Sequence, residues 1–394
     1  MVPVAGRGFS LEFTEELRRL AHAPDGLWLR DILLHPDLVL AVRRDALAVY
    51  HRGASIFLAE FANGRIAPKT HVKYLQRSAQ AYAALNDDGT FSLDPIKAIW
   101  TRYEGTQTLA DMLRAAASLA GPEKIGLHAL LKNSPHVVNT EIVLEGESVK
   151  EPSAAAASPA SRSVPAVIPP QPSGWNDPAE KRAEISAAIE VADSEATVPS
   201  TAMDTEVSEY NGLSPEASSS ASSGTPSSPP RLDRLDVATL EERDGAIQLV
   251  FHEAKHFANK ELRAASNKTP PVLEQIERYE ATLRRHEKRL LTEYGAVCRA
   301  LVELAMLRHE VQQDGINDLA SATPPPLDPL VQRVAEGEAL TLDLLPRLVI
   351  FGFDEDQKSG AVWKRHRDRL EAALGSRRLY AVGNTRTKTS AAFR

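Results

Sequence analysis

The alternation of apolar and polar positions is most regular between Arg231 and Tyr279. Leu235 to Glu241 reads as a strand, and Arg243-Asp244-Gly245 between two apolar runs reads as a hairpin turn. In the second run, Ala246 to Lys255, residues Ile247, Leu249, Phe251, Glu253 and Lys255 share one face. The other face carries Val250 and Ala254, so the strand is expected to be covered on both sides. Pro270-Pro271 closes a loop and a helix starts near Val272. Val297, Leu301, Leu304 and Leu307 carry its period on to about residue 312. After Pro324-Pro325-Pro326, the run Leu345 to Phe353 predicts a further buried strand. A helix over 358–374 and a short strand, RRLYAV, follow it.

The first 150 residues show a different rhythm. Ser10 is placed to cap a helix whose Phe13, Leu17 and Leu20 share one face. LVLAVRR, ALAVYHRG, SIFLAEFANG and RIAPKTHVKY predict a four-strand meander, with helices around 92–117 and 122–133. Arg43, Arg44, His51, Arg52, Lys69 and Lys73 offer a candidate phosphate-facing surface, with a solvated sheet face as the alternative. Residues 151–175, rich in Pro, Ala and Ser, hold too little apolar surface to order themselves. A short helix at 178–192 and a short strand near 201–210 follow, then another low-complexity stretch, PEASSSASSGTPSSPP. The expected division is an N-terminal α+β domain over 1–150 and a disordered linker over 151–177. A second domain spans 178–382 with a disordered loop near 211–229, and a basic tail covers 383–394.

Charge adds to this division. The chain of 394 residues carries a formal net charge of −7. Residues 151–229 hold 11 acids and 3 bases, whereas residues 358–394 hold 10 bases and 2 acids. The acidic tract suits a solubilising spacer, and the basic end suits phosphate binding or a solvated helix. Cys298 is the single cysteine, which excludes a disulfide framework and a cysteine zinc site and fits a cytoplasmic setting. No apolar run is long enough to span a membrane, and MVPVAGRGFS has no apolar core of a secretory signal.

Candidate chemistry lies at the end of the predicted hairpin. Glu253 and Lys255 sit on a mostly apolar face, where a charge is costly unless paired or metal-bound. Antiparallel pairing brings them beside Asp236 near the start of the first strand. Two neighbouring carboxylates repel, and a divalent cation such as Mg²⁺ resolves that repulsion. Lys255 is then placed to hold and polarise the water that attacks phosphorus. Gln275 and Tyr279, four apart, share a face of the following helix. Asp233 competes with Asp236 for the first position, and Asp236 is favoured because the apolar strand follows it directly.

Asp236, Glu253-Ala254-Lys255 and Gln275-x-x-x-Tyr279 together resemble the signature of the PD-(D/E)XK nucleases, of the RecB-like type. The resemblance is specific over 231–279 only, and Leu235 stands where that pattern has a proline. It implies an α/β protein with a restriction-endonuclease-like αββαβ core, dependence on Mg²⁺ (or Mn²⁺) and cleavage of DNA. By the same resemblance Asp236 and Glu253 bind the metal, Lys255 positions water, and Gln275 and Tyr279 steady the site. Lys260, Arg263, Lys364, Arg365 and Arg367 are the expected nucleic-acid contacts. The alternative is the same fold kept as an inactive module that binds nucleic acid or a protein partner. His252 falls on the opposite strand face from Glu253 and is expected to pack or hydrogen-bond.

Overall fold

The computed structural model describes residues 6–77, 84–87, 90–92, 98–144, 233–265, 268–314, 326–353, 357, 359–382 and 393. The expected helix at 178–192, the strand near 201–210, the linker, the 211–229 loop and most of the 383–394 tail lie outside them. The chain has an α/β fold.

The N-terminal block follows its sequence pattern. Helix α1 (Leu11–His22) starts at Ser10, whose hydroxyl accepts from the Phe13 amide, and buries Phe13, Leu17 and Leu20. Helix α2 (Leu27–Leu34), not expected from the pattern, is buried nearly all round and so lacks amphipathic contrast. Strands β1 (Val39–Arg43), β2 (Ala46–His51), β3 (Ala54–Ala62) and β4 (Arg65–Lys69) form the antiparallel meander. Helices α3 (Thr106–Ser118) and α4 (Pro122–Lys132) complete the block, α3 starting later than expected.

A second sheet joins the two ends of the chain. Strand β5 (Val137–Leu144) pairs antiparallel with β6 (Asp233–Arg243), which pairs antiparallel with β7 (Ala246–His256). Asp244 and Gly245 both have positive φ, 53° and 78°, which the two-residue turn between β6 and β7 requires. Strand β8 (Leu340–Leu342) runs parallel to the first half of β7. Strand β9 (Arg347–Phe351) runs parallel to its second half, and β10 (Leu379–Ala381) lies parallel to β9. The order is therefore β10-β9-β7-β6-β5, with β8 beside β7.

This sheet corrects the expected boundary at residue 150. The place beside β6, expected for a strand near 201–210, is filled by β5, and the described residues on both sides of 145–232 belong to one compact unit. A break in composition marks a long insertion between paired strands here, which is tolerated because each doubling of a connecting loop costs only about 0.6 kcal/mol.

Helix α5 (Pro271–Gln313) is the spine of the unit. Ile276, Leu283, Leu290, Val297, Leu304 and Val311 recur every seven residues and are all buried. At about 1.5 Å per residue its 43 residues extend roughly 64 Å. It packs along β5, β6 and β8 of this sheet and on α1, α2 and β1. Tyr294 meets Phe251 edge-on with ring centroids 5.5 Å apart. Helix α6 (Pro329–Ala335) packs beside α5, and α7 (Ala361–Leu374) buries Trp363 and Leu370 against β9. On the other sheet face Gly126 lets α4 approach closely, because a Cβ there would lie 2.5 Å from the Phe351 ring.

The N-terminal basic residues do not form one phosphate-facing surface. The Arg43 guanidinium donates to Asn139 Oδ1 at 2.7 Å and the Thr140 carbonyl at 2.8 Å, satisfying the outer strand β5. His51 is buried against His128, and Lys69 pairs with Glu60.

The two histidines carry a pH liability. Their rings lie 5.0 Å apart, and His128 Nε2 is buried without a partner among the described residues. Burial, reinforced by His51, pushes the His128 pKa down to about 4 from 6.5. Its neutral form is thus favoured on folding, so the contribution is full above pH 6.5 and is lost as pH falls toward 4. Urea melts at pH 7 and pH 4.5 should differ by up to roughly 3 kcal/mol from this site. His128→Phe should remove much of that difference, and an unchanged pH dependence in the variant would refute the assignment.

Candidate active site at the end of the central hairpin

Hairpin register builds the site. Val237 faces His252 in the last registered pair of β6 and β7, so Asp236 and Glu253 stand one step beyond it. Ala238 faces Phe251 and Leu240 faces Leu249 in the same register, which puts both carboxylates on the α5 side of the sheet. The Asp236 carboxylate accepts from the Ala254 amide at 2.8 Å. Asp233 instead accepts from the Thr282 hydroxyl at 2.9 Å and lies 3.6 Å from Arg278. Of the two aspartates, Asp236 therefore faces the Glu253–Lys255 strand.

Lys255 Nζ lies 2.9 Å from Glu253 Oε1 and 2.6 Å from Glu261 Oε2. Glu253 is 2% exposed, and its Oε2 is buried with no hydrogen-bond partner among the described residues. Burial pushes the Glu253 carboxyl pKa up against the pull of Lys255. Burial also lifts that of Asp236 well above its ordinary value, reinforced by the charges of Glu253 and Glu141. For Lys255, burial would lower the pKa, but Glu253, Glu261 and Asp236 outweigh it and hold the ammonium protonated. The lysine is thus a fixed donor and charge, not a proton acceptor.

Gln275 and Tyr279 join the site through the backbone. Gln275 Nε2 donates to the Tyr279 hydroxyl at 2.5 Å, and that hydroxyl donates to the Arg234 carbonyl. Tyr279 is buried and grips β6 two residues before Asp236, so it positions that strand. Burial, with the Glu253 charge, raises its phenol pKa.

Two acids enter from parts of the chain with no visible signal for the site. Glu123, in the first turn of α4, accepts from the His256 amide at 3.1 Å and from Asn259 Nδ2 at 2.9 Å. Its charge reaches Glu253. Glu141 on β5 pairs with Arg234 at 2.7 Å and adds negative field at Asp236. In sequence, Glu123 reads only as an acid complementing a helix N-terminus. His252 lies on the opposite face, where it bonds to the Thr239 hydroxyl at 2.9 Å and stacks edge-on with Phe393.

The expected nucleic-acid contacts separate into two groups. The Arg263 guanidinium lies 5.8 Å from the Trp363 ring centroid, which joins the stretch after β7 to α7. Arg263, Arg365 and Arg369 surround His366, whose pKa is lowered by burial and then by those three charges. Lys260 is exposed on the turn that carries Glu261. Lys364 and Arg367 are neutralised along their own helix, by Asp368 at 3.0 Å and Glu371 at 3.8 Å.

Among the described residues, no group of three or more His, Cys, Asp or Glu side chains is arranged to hold a metal ion. Two carboxylates with raised pKa values and one orphaned oxygen remain. That donor set fits a hard cation completed by water and phosphate oxygens. Comparisons with protein-family models, curated proteins and solved structures found no match.

The carboxylate repulsion predicts a stability effect. A carboxyl raised on folding contributes stability below its ordinary pKa and loses it as pH rises above that value. Asp236→Asn removes the charge and keeps an acceptor for the Ala254 amide. It should stabilise the metal-free protein by about 1–3 kcal/mol at pH 7, with the gain vanishing near pH 4. Thermal melts in chelator at the two pH values check this, and a loss of stability at pH 7 would contradict it.

Proposed function

We propose that this chain is a metal-dependent nuclease that hydrolyses phosphodiester bonds in DNA. The observation that supports this most is the buried Glu253 carboxylate, half paired by Lys255 and half unpartnered, beside Asp236 on the neighbouring strand. The element order α4-β5-β6-β7-α5-β9 also suits the family that the sequence resembles. Asp236 and Glu253 would hold Mg²⁺ or Mn²⁺. When bound, that ion would supply charge stabilisation at the scissile phosphate and acidify water. Lys255, kept protonated by its carboxylate neighbours, would orient the attacking water by donating to it and offset charge at the phosphate. Tyr279 and Gln275 would keep β6 in register with the site. Arg263, Arg365 and Lys260 would bind the DNA backbone.

The test is incubation of the full chain with supercoiled and linear DNA in Mg²⁺, Mn²⁺ or chelator. Cutting that requires the ion supports the reading. The second reading, a nuclease-fold module that binds without cutting, is favoured by the absence of a three-ligand metal cluster among the described residues. Salt-dependent DNA binding with no cutting under either ion would establish that reading instead.

A further inference from the structure

A cleft of about 350 Å³ opens between β1, the segment joining α4 to β5, and the second half of α5. It is remote from the carboxylate site: Tyr279 and Leu304 are 25 positions apart on one helix, or roughly 38 Å at about 1.5 Å per residue. Its volume lies in the range of small-molecule sites, and its walls include Leu40, Val138, Leu301 and Leu327.

Beside these apolar residues the lining carries basic side chains, two amides and a hydroxyl, with no carboxylate among the described residues. The Arg308 guanidinium is held in plane by its Nε bond to the Leu33 carbonyl at 2.7 Å. Among the described residues its two terminal nitrogens have no protein partner and no Asp or Glu lines the cleft. Burial without a counter-charge lowers its pKa, yet a guanidinium stays protonated in a protein. Ser134 is 3% exposed, and its hydroxyl in the same lining has no partner. The other basic groups in the lining are already committed: Lys132 pairs with Asp37, His35 Nδ1 accepts from the Asp37 amide at 3.1 Å, and the ring of His309 bonds to Gln313 at 2.8 Å. A half-buried cation and a buried hydroxyl, both lacking partners and flanked by Leu40, Val138, Leu301 and Leu327, call for an anionic head on an apolar body.

We propose that this cleft binds a small organic monoanion, with its carboxylate on the Arg308 guanidinium and Ser134 hydroxyl and its apolar body against Leu301 and Leu327. The inference stands independently of the nuclease reading.

The experiment is calorimetric titration of the full chain with octanoate, 1-octanol and inorganic phosphate. Octanoate should bind saturably at one site, and neither 1-octanol nor phosphate should match it. Arg308→Gln should weaken octanoate at least about tenfold. Ala305→Leu, which fills the cleft and leaves Arg308 in place, should also abolish binding and covers the case in which Arg308→Gln fails to fold. Equal binding of 1-octanol with no effect of Arg308→Gln would reduce the cleft to an apolar void and overturn the proposal. Phosphate binding without octanoate binding would overturn it too, as would no binding of any probe.

Discussion

Lys255→Ala is expected to lower Mg²⁺-dependent DNA cleavage by at least about 10³-fold while leaving DNA binding largely intact. The ammonium lies between Glu253 and Glu261 with its charge secured by both. Removing it takes away the donor proposed to orient the attacking water. It also leaves Glu253 without its ion-pair partner, so affinity for the divalent ion should hold or rise. That combination separates a positioning role from simple unfolding: cutting is lost, metal and DNA binding stay. Gel-based cleavage rates with parallel filter binding at fixed salt make the comparison. A variant that cuts at the wild-type rate would remove Lys255 from the chemistry.

Arg7→Ala is expected to cost about 3–5 kcal/mol of stability, the range for breaking a buried ion pair by removing one partner. Arg7 bonds to Glu293 in α5 and donates to the Val143 carbonyl of β5 at 2.6 Å. Glu293 is fully buried, and its other oxygen accepts from Arg289 at 2.7 Å. The substitution would leave a buried carboxylate short of a partner. It would also free the C-terminal end of β5 from the helix that carries Tyr279. The expected fall in Tm is on the order of 10 °C. Replacing both partners, Arg7→Met with Glu293→Leu, should recover much of the loss, since apolar replacements of buried pairs are often neutral. A Tm for Arg7→Ala within a degree of wild type would show that the N-terminal segment contributes little to the folding of the sheet.

The site residues drawn from the sequence were legible because they depend on local rules. Period-2 alternation put Asp236, Glu253 and Lys255 on one face, and the Asp244-Gly245 turn set their register within 20 residues of chain. The helical repeat of α5 set Gln275 and Tyr279 on one side. Glu123 and Glu141 were invisible for the opposite reason. Each is an ordinary acid in its own segment and reaches the site only through pairing across the 145–232 insertion or packing on the far sheet face. The basic residues show the same limit. Composition located the positive C-terminal stretch, but only packing shows Arg263 beside Trp363, and Lys364 and Arg367 paired with acids on their own helix.

By itself, then, the sequence determined the hairpin, its register, the long helix and the three residues that converge at the hairpin's end. Each follows from backbone periodicity and turn sterics acting over a few residues. Only the tertiary structure decided that β5 joins the same sheet, that Tyr279 anchors β6, and that Arg308 faces a cleft without a counter-ion. Those outcomes come from contacts between residues far apart in the chain, where burial and charge pairing select partners that no local pattern encodes.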